Sequence, residues 1–484
     1  MKTQIFRSIA VALLVMFFTQ TTWATCGGGG GGGGGGMSGG GGGSAPTVYN
    51  VPWKIFKVAE APKQGLVLYW FPASNDEVKR SSLRESRTLS LYASQCVAME
   101  LADQQIPHAD KLIGDSKLPV AVLASPDGTP VSKIENTNGK LKVVDVEKLL
   151  DTEMKQRETA LDGQMKEAAG KAKAGDKDGA IGIYKAVLDQ KCLFPKKAKE
   201  AAKQLKSLGV ADIASVSAAP IFEPRRSALI VSTMRRGLVA EMNAHYITAE
   251  KLYQRAHLMD PADPTPLRYL AENYRHNIGA WEKARAGFEA ILNMPADPLS
   301  RSVALHGLGK MTIHEGEFKK GLGLMEQAVA EYPLALAYRN LAVYWNSEGD
   351  PVKGNDYTQQ ALALDPADPY NLVFAAVFMA ANGKKEEALK IARANMNLMP
   401  ASYNLAAIFA QNGEHDKALS MLRRHFFQYE RYNSVRAKEM MEARVDAVFD
   451  SIRADQSFIA LTKGADGRLP MPMKGMPASA TPNR

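Results

Sequence analysis

The sequence predicts a mostly α-helical solenoid preceded by a small α/β domain, and three observations point to it. Pro261, Pro295, Pro333, Pro366 and Pro400 are 34, 38, 33 and 34 residues apart, the period of a stacked two-helix unit. Ahead of them, residues 46–150 mix short apolar runs of strand composition with helical periodicity. The composition of the 484 residues, 45% hydrophobic and 23% charged, is that of a folded globular chain. Three cysteines exclude a disulfide-dense scaffold. The net charge of +9 comes from 60 basic and 51 acidic residues with no long basic run, so nucleic acid is not an expected partner.

Residues 1–24 read as a signal peptide. Lys2 and Arg7 precede the apolar run 9–18, and Thr22-Trp23-Ala24 suits cleavage after Ala24. That run is too short to span a bilayer of about 30 Å. The expected location is therefore periplasmic or extracellular. Outer-membrane anchoring by lipidation of Cys26 is the alternative, and the only expected route to a membrane. Thr25 and Trp23 argue against it, because lipidation favours small residues before the cysteine. Residues 25–45 form a linker holding 15 of the 40 glycines, with a reach of about 25 Å as flexible coil. Residues 464–484, rich in Pro, Met and Gly, are expected to be a disordered tail.

Within 46–158, Leu66-Val67-Leu68-Tyr69-Trp70-Phe71 reads as a strand bounded by Gly65 and Pro72. Residues 81–103 read as a helix, with Leu83, Leu89, Tyr92, Cys96, Met99 and Ala102 at helical spacing. A strand follows at 119–123, then a Ser125-Pro126-Asp127-Gly128 turn and a hairpin strand at 131–134. A last amphipathic helix runs from near Val144 into Glu158. This order resembles the thioredoxin fold. Phe71-Pro72-Ala73-Ser74 is similar to the approach to that family's active turn, and Leu118-Pro119 to its cis-proline. Where the family carries two cysteines, this chain has Asp76 and Lys79. The resemblance thus implies a domain that keeps the shape and lacks dithiol exchange.

The region after it is almost all helix. Gly316, Gly321 and Ala328, then Gly349, Gly354 and Ala361, recur at one spacing ahead of each proline, and Gly383 with Ala388 and Gly413 with Ala418 repeat part of it. Small residues at these positions let paired helices close tightly while large ones fill the gaps between pairs. Leu308-Gly309, Leu341-Ala342 and Leu405-Ala406 resemble the first-helix signature of the tetratricopeptide repeat. About seven units are expected, one at 159–209 and the others in a solenoid at 225–463, separated by an irregular stretch at 210–224. Residues 445–461 should cap the stack.

Catalytic sets are absent from the sequence. No His-Glu-x-x-His, phosphate loop or Gly-x-Ser-x-Gly elbow occurs, so no catalytic residue, metal ligand or cofactor is assigned. Cys96, in an apolar stripe, reads as a buried thiol. Export also opens a Cys96–Cys192 disulfide, which needs the two Cα atoms within ~7 Å. Met471, Met473 and Met476 in the tail are of the kind that holds Cu(I), or are chance methionines. In solenoids of this type the first helices line a concave groove. Arg268, Arg275, His276, His306, Lys310, His314, Arg339 and Asn340 are placed there, on one strip suited to carboxylates. The expected function is a non-catalytic adaptor of the bacterial periplasm or envelope that binds a protein or peptide, an acidic one by this chemistry. The alternatives are a thiol accessory using Cys96 and a Cu(I)-handling protein using the tail.

Overall fold

The computed structural model describes residues 46–463 apart from residues 61, 63, 400 and 430–432. The expected signal peptide, glycine linker and tail, with Cys26, Met471, Met473 and Met476, lie outside the described residues, as does Pro400. The described chain forms two bodies. The first comprises residues up to 275 with 281–308, and the second comprises 276–280 with residues from 309 onward.

The first body opens with a five-stranded sheet of β1 (Lys54–Ile55), β2 (Leu66–Phe71), β3 (Val97–Leu101), β4 (Val120–Ala124) and β5 (Pro130–Glu135), in the order β1-β3-β2-β4-β5. β1 and β2 run parallel to β3, whereas β4 is antiparallel to β2 and β5 to β4. All six residues of β2 are buried, as expected of a strand covered on both faces. Leu66, Leu68 and Trp70 face a core with Leu83, Leu89 and Leu123, while Val67, Tyr69 and Phe71 face Leu112 and Ile113. The Leu118–Pro119 peptide that enters β4 is cis.

Residues 81–103 depart from the single helix that the spacing predicts. They form a 3-10 turn at Ser82–Arg84, the helix Arg87–Ala93 and then β3. Cys96, at φ 56°, ends the helical path. Val97 and Met99 alternate toward the core while pairing in register beside β2. A short helix followed by a strand reproduced the three- and four-residue spacing of one long helix.

Numbering the helices in order, α1 is Asn75–Arg80, α2 is Arg87–Ala93, α3 is Ala109–Ile113 and α4 is Val143–Lys173. α4 runs unbroken through the domain boundary expected at 158/159. Its Val146, Leu150, Leu161 and Ala168 share one core with the sheet, with α5 (Lys177–Asp189) and with α6 (Pro195–Ser207). The unit expected at 159–209 therefore has no core of its own.

The helix pairs follow. The first body holds α7 (Pro224–Met242), α8 (Tyr246–Met259), α9 (Pro264–Glu272) and α10 (Trp281–Leu292). After α11 (Pro298–His314), the second body continues with α12 (Phe318–Glu331), α13 (Ala335–Ser347), α14 (Pro351–Leu364) and α15 (Pro369–Ala381). It goes on through α16 (Lys385–Asn395), α17 (Tyr403–Gln411) and α18 (His415–Arg424) to α19 (Asn433–Ala443) and α20 (Gln456–Thr462). Pro261, Pro295, Pro333 and Pro366 stand two or three residues beyond the ends of α8, α10, α12 and α14. Phe449, Ile452, Phe458 and Leu461 join the core of Leu405, Phe409 and Leu422 at the end of the chain.

Within a hairpin, the turn between helices needs one left-handed residue to redirect the chain. Gly316, Gly349, Gly383 and Gly413 supply it at φ between 77° and 95°. The α7–α8 turn instead uses Ala244 at φ 59°. A Cβ is disfavoured there by roughly 1–2 kcal/mol, part of which glycine returns through its freer unfolded chain. Ala244→Gly should therefore stabilise the first body by about 0.5–1 kcal/mol in denaturant unfolding.

Candidate functional site

Of the eight residues placed on a groove strip, five are buried and three are half-buried. In the first body, Arg268, Arg275 and His306 are 1%, 7% and 2% exposed, and in the second Lys310 and Asn340 are 7% and 1% exposed. His276, His314 and Arg339 are half-buried. Polar and aromatic groups cover several of the cations. Arg275 Nη2 donates to Glu272 Oε2 at 2.8 Å on its own helical path. Arg268 lies 5.5 Å from the Tyr269 ring centroid, with its Nε and Nη2 unpartnered among the described residues.

In the second body, Lys310 and Arg339 sit on successive first helices. Lys310 Nζ, on α11, donates to the Tyr344 hydroxyl of α13 at 2.9 Å and lies 5.4 Å from that ring's centroid. Arg339, on α13, donates from Nη1 to Asn371 Oδ1 of α15 at 2.5 Å. Its guanidinium sits 5.6 Å from each of the Tyr370 and Phe374 rings. Asn371 is fixed in turn, donating from Nδ2 to the carbonyls of Ala361 and Asp365. Cation, amide and ring thus run across three successive first helices, α11, α13 and α15. Of these groups Arg339 is the half-buried cation, able to meet a carboxylate with charge-assisted hydrogen bonds while the Tyr370 and Phe374 rings beside it meet a flat or aliphatic group. His314 stands 4.0 Å from Glu442 in the same body.

Elsewhere the chemistry is structural. Asp76 and Lys79 lie on α1, whose N-cap is Ser74. Cys96 and Cys192 are joined in a disulfide with Cα atoms 5.8 Å apart, tying the start of β3 to the turn after α5. This replaces the expected free thiol in a helical stripe. Among the described residues no cluster of His, Cys, Asp and Glu could hold a metal ion, and no helix is long and apolar enough to cross a membrane.

No sequence pattern signals the heavily bonded side chain of Arg87. Buried at the first position of α2, it donates from Nη2 to Asp260 at 2.5 Å and from Nε to Asp263 at 2.9 Å. Its Nη1 reaches the Ile221 carbonyl at 2.8 Å and Ser227 Oγ at 2.6 Å, and the Tyr49 hydroxyl donates to Asp263 at 2.7 Å. Burial works against the Arg87 charge, but Asp263, Tyr49 and Asp260 together hold its pKa above the usual value. Another enclosed polar set lies in the second body. Ser402 N–H donates to His425 Nδ1, and His425 Nε2 lies 3.0 Å from Glu439. The Tyr403 hydroxyl donates to Asp446, which burial pushes up to about 6.

Two measurements check these assignments. Arg87→Met leaves two carboxylates buried without their cation and should cost about 3–5 kcal/mol of first-body stability in denaturant unfolding. Glu100, buried on β3 between Lys54 of β1 and Tyr69 of β2, is pushed up by burial to about 7 from 4.5, against the pull of Lys54. Folding therefore favours its protonated form, so its contribution is complete below pH 4.5 and lost as pH rises through about 7. Glu100→Gln should gain stability over the parent between about pH 5 and pH 8, by on the order of 3 kcal/mol at the upper end.

No family model and no curated protein matches the chain. Solved structures do. The thermophilic TPR protein TTC0263 of Thermus thermophilus is similar at 20% identity and a TM-score of 0.31, over 40% of this chain and 99% of that one. PilF of Pseudomonas aeruginosa is similar at 14% identity and a TM-score of 0.32, over 45% and 98%. YrrB, a TPR protein with an unusual peptide-binding site, is similar at 19% identity and a TM-score of 0.24, over 39% and 97%.

Proposed function

We propose that this protein is a non-catalytic adaptor that binds a partner protein or peptide on the first helices of its tetratricopeptide-like repeats. The observation that carries the reading is the ladder Lys310–Tyr344 and Arg339–Asn371 over α11, α13 and α15. Stacking of Arg339 on Tyr370 and Phe374 holds its guanidinium in place before a partner arrives, which lowers the ordering cost of binding. The partner chemistry that suits this face is an extended segment bearing carboxylates.

We read residues 46–158 as thioredoxin-like in shape and without dithiol exchange. The sheet order β1-β3-β2-β4-β5 supports this, as does the placement of Asp76 and Lys79 on α1. The alternative of a reactive Cys96 meets a sulfur committed to Cys192. Export, with cleavage after Ala24 or lipidation of Cys26, rests on the sequence of residues 1–26.

Selection of a random displayed peptide library on the full chain tests the adaptor reading. The parent should enrich acidic peptides, and Arg339→Ala should weaken the selected peptide by roughly tenfold through loss of a charge-assisted contact. Enrichment that ignores carboxylates, or survives Arg339→Ala unchanged, would remove this face from the mechanism.

A further inference from the structure

Of thirteen large apolar side chains exposed among the described residues, five stand on one hairpin: Leu229, Val239 and Met242 on α7, and Ile247 and Leu258 on α8. The same hairpin exposes Arg225, Arg226, Arg235, Arg236, Lys251 and Arg255, none of which has an ion-pair partner among the described residues. Its acids are turned to other tasks. Glu223 caps α7 by accepting from the backbone of Arg225 and Arg226, Glu241 accepts from the Tyr253 hydroxyl, and Glu250 accepts from the Tyr274 hydroxyl. Six exposed cations against the three carboxylates of Glu223, Glu241 and Glu250 leave this hairpin net positive as well as apolar.

The surface is also recessed. Arg235, Arg236, Val239 and Asn243 of α7 and Thr248 and Leu252 of α8, with Pro46 and His245, line a shallow, open concavity of about 480 Å³. That volume admits an aliphatic side chain, and two exposed arginines are part of its lining. Exposed cations of this kind select acidic partners and speed their encounter.

We propose that the α7–α8 face is a second docking site, taking an acidic segment of a partner protein that seats an aliphatic side chain in the concavity and carboxylates on Arg235 and Arg236. The site goes beyond the adaptor reading, because it uses none of the residues on α11, α13 and α15. Charge decides the occupant. Residues 1–45 contain no acid, and residues 464–484 carry only Asp466 against Arg468, Lys474 and Arg484, so neither end of this chain complements the face. A second copy meeting it symmetrically would bring like charges together. A lipid surface matches the charge but has no side chain to fill the recess.

The probe is a fluorescein-labelled synthetic peptide of alternating Glu-Glu and Leu-Leu pairs, titrated with the full chain by anisotropy beside a Lys-Lys/Leu-Leu control. The acidic peptide should bind, weaken with added salt, and exceed the basic control. Arg235→Glu with Arg236→Glu should weaken it by roughly tenfold or more, and Val239→Asp alone should do the same. Both variants alter exposed side chains and should melt with the parent. The titrations are run in parallel on the Arg339→Ala chain, where the adaptor face is disabled. Binding lost with Arg235→Glu/Arg236→Glu in that background reports on this face alone and separates failure here from failure of the adaptor face. Equal affinity in parent and Arg235→Glu/Arg236→Glu chains would overturn the proposal. So would arginine-dependent binding to phosphatidylserine vesicles without peptide binding, or arginine-dependent dimerisation in light scattering.

Discussion

One guanidinium between two buried carboxylates decides how the first body is put together. An unpaired ion at such depth costs several kcal/mol, so Arg87, Asp260 and Asp263 are stable only when all three are in place. Their geometry fixes more than the ion pairs. Ile221 donates its N–H to Asp260 and accepts at its carbonyl from Arg87, so both its polar backbone groups are held. Phe222 stacks on Tyr92 with ring centroids 4.7 Å apart, and Val210 and Ile213 pack on the sheet's core. The stretch 210–223, irregular in sequence, is thereby a seated strap and not a free linker. It carries the chain from the α/β part to α7 in one fixed arrangement.

Along the repeats a different constraint rules. A helix pair cannot bury its own apolar face, so each must close tightly and stack on the next. In the second body, a Cβ on Gly321 would lie 2.6 Å from the Gly309 carbonyl oxygen, and one on Gly354 would lie 2.9 Å from that of Ala342. Backbones approach there to a distance that only the absence of a side chain permits. Those contacts explain why small residues recur at a fixed offset ahead of each closing proline. The large residues, such as Met325, Leu341 and Tyr344, fill what the close approach leaves open.

This periodicity made the repeats legible from sequence, since the same physical demand returns about every 34 residues. β2, β4 and β5 were legible for a local reason, being short apolar runs bounded by turn residues. β3 was not, because its inward positions continued the spacing of the helix before it. Nor could the Arg87 cluster be read, as its carboxylates lie 173 and 176 residues away in the chain. The candidate groove shows the same limit more finely. Helical spacing assigned Lys310 and Arg339 to first helices, but only the fold shows that Tyr344 and Asn371 take up their donors. Spacing places a residue on a helix face; it does not say what the next helix offers it.

The need of each unit for a neighbour also explains why an open face exists at α7. Units of a solenoid cover one another, so the first helix of an array needs something in place of a preceding unit. The helices before it, α5 and α6, spend their apolar residues Tyr184, Val187, Ala201 and Leu205 on the sheet's core. Neither helix has a large exposed apolar side chain left to cover α7. Left bare, Leu229, Val239 and Met242 would be an aggregation liability. The cations around them discourage contact between copies of this chain while leaving the face open to acidic surfaces. An end that the array cannot cover for itself has the charge pattern of a surface kept for another molecule.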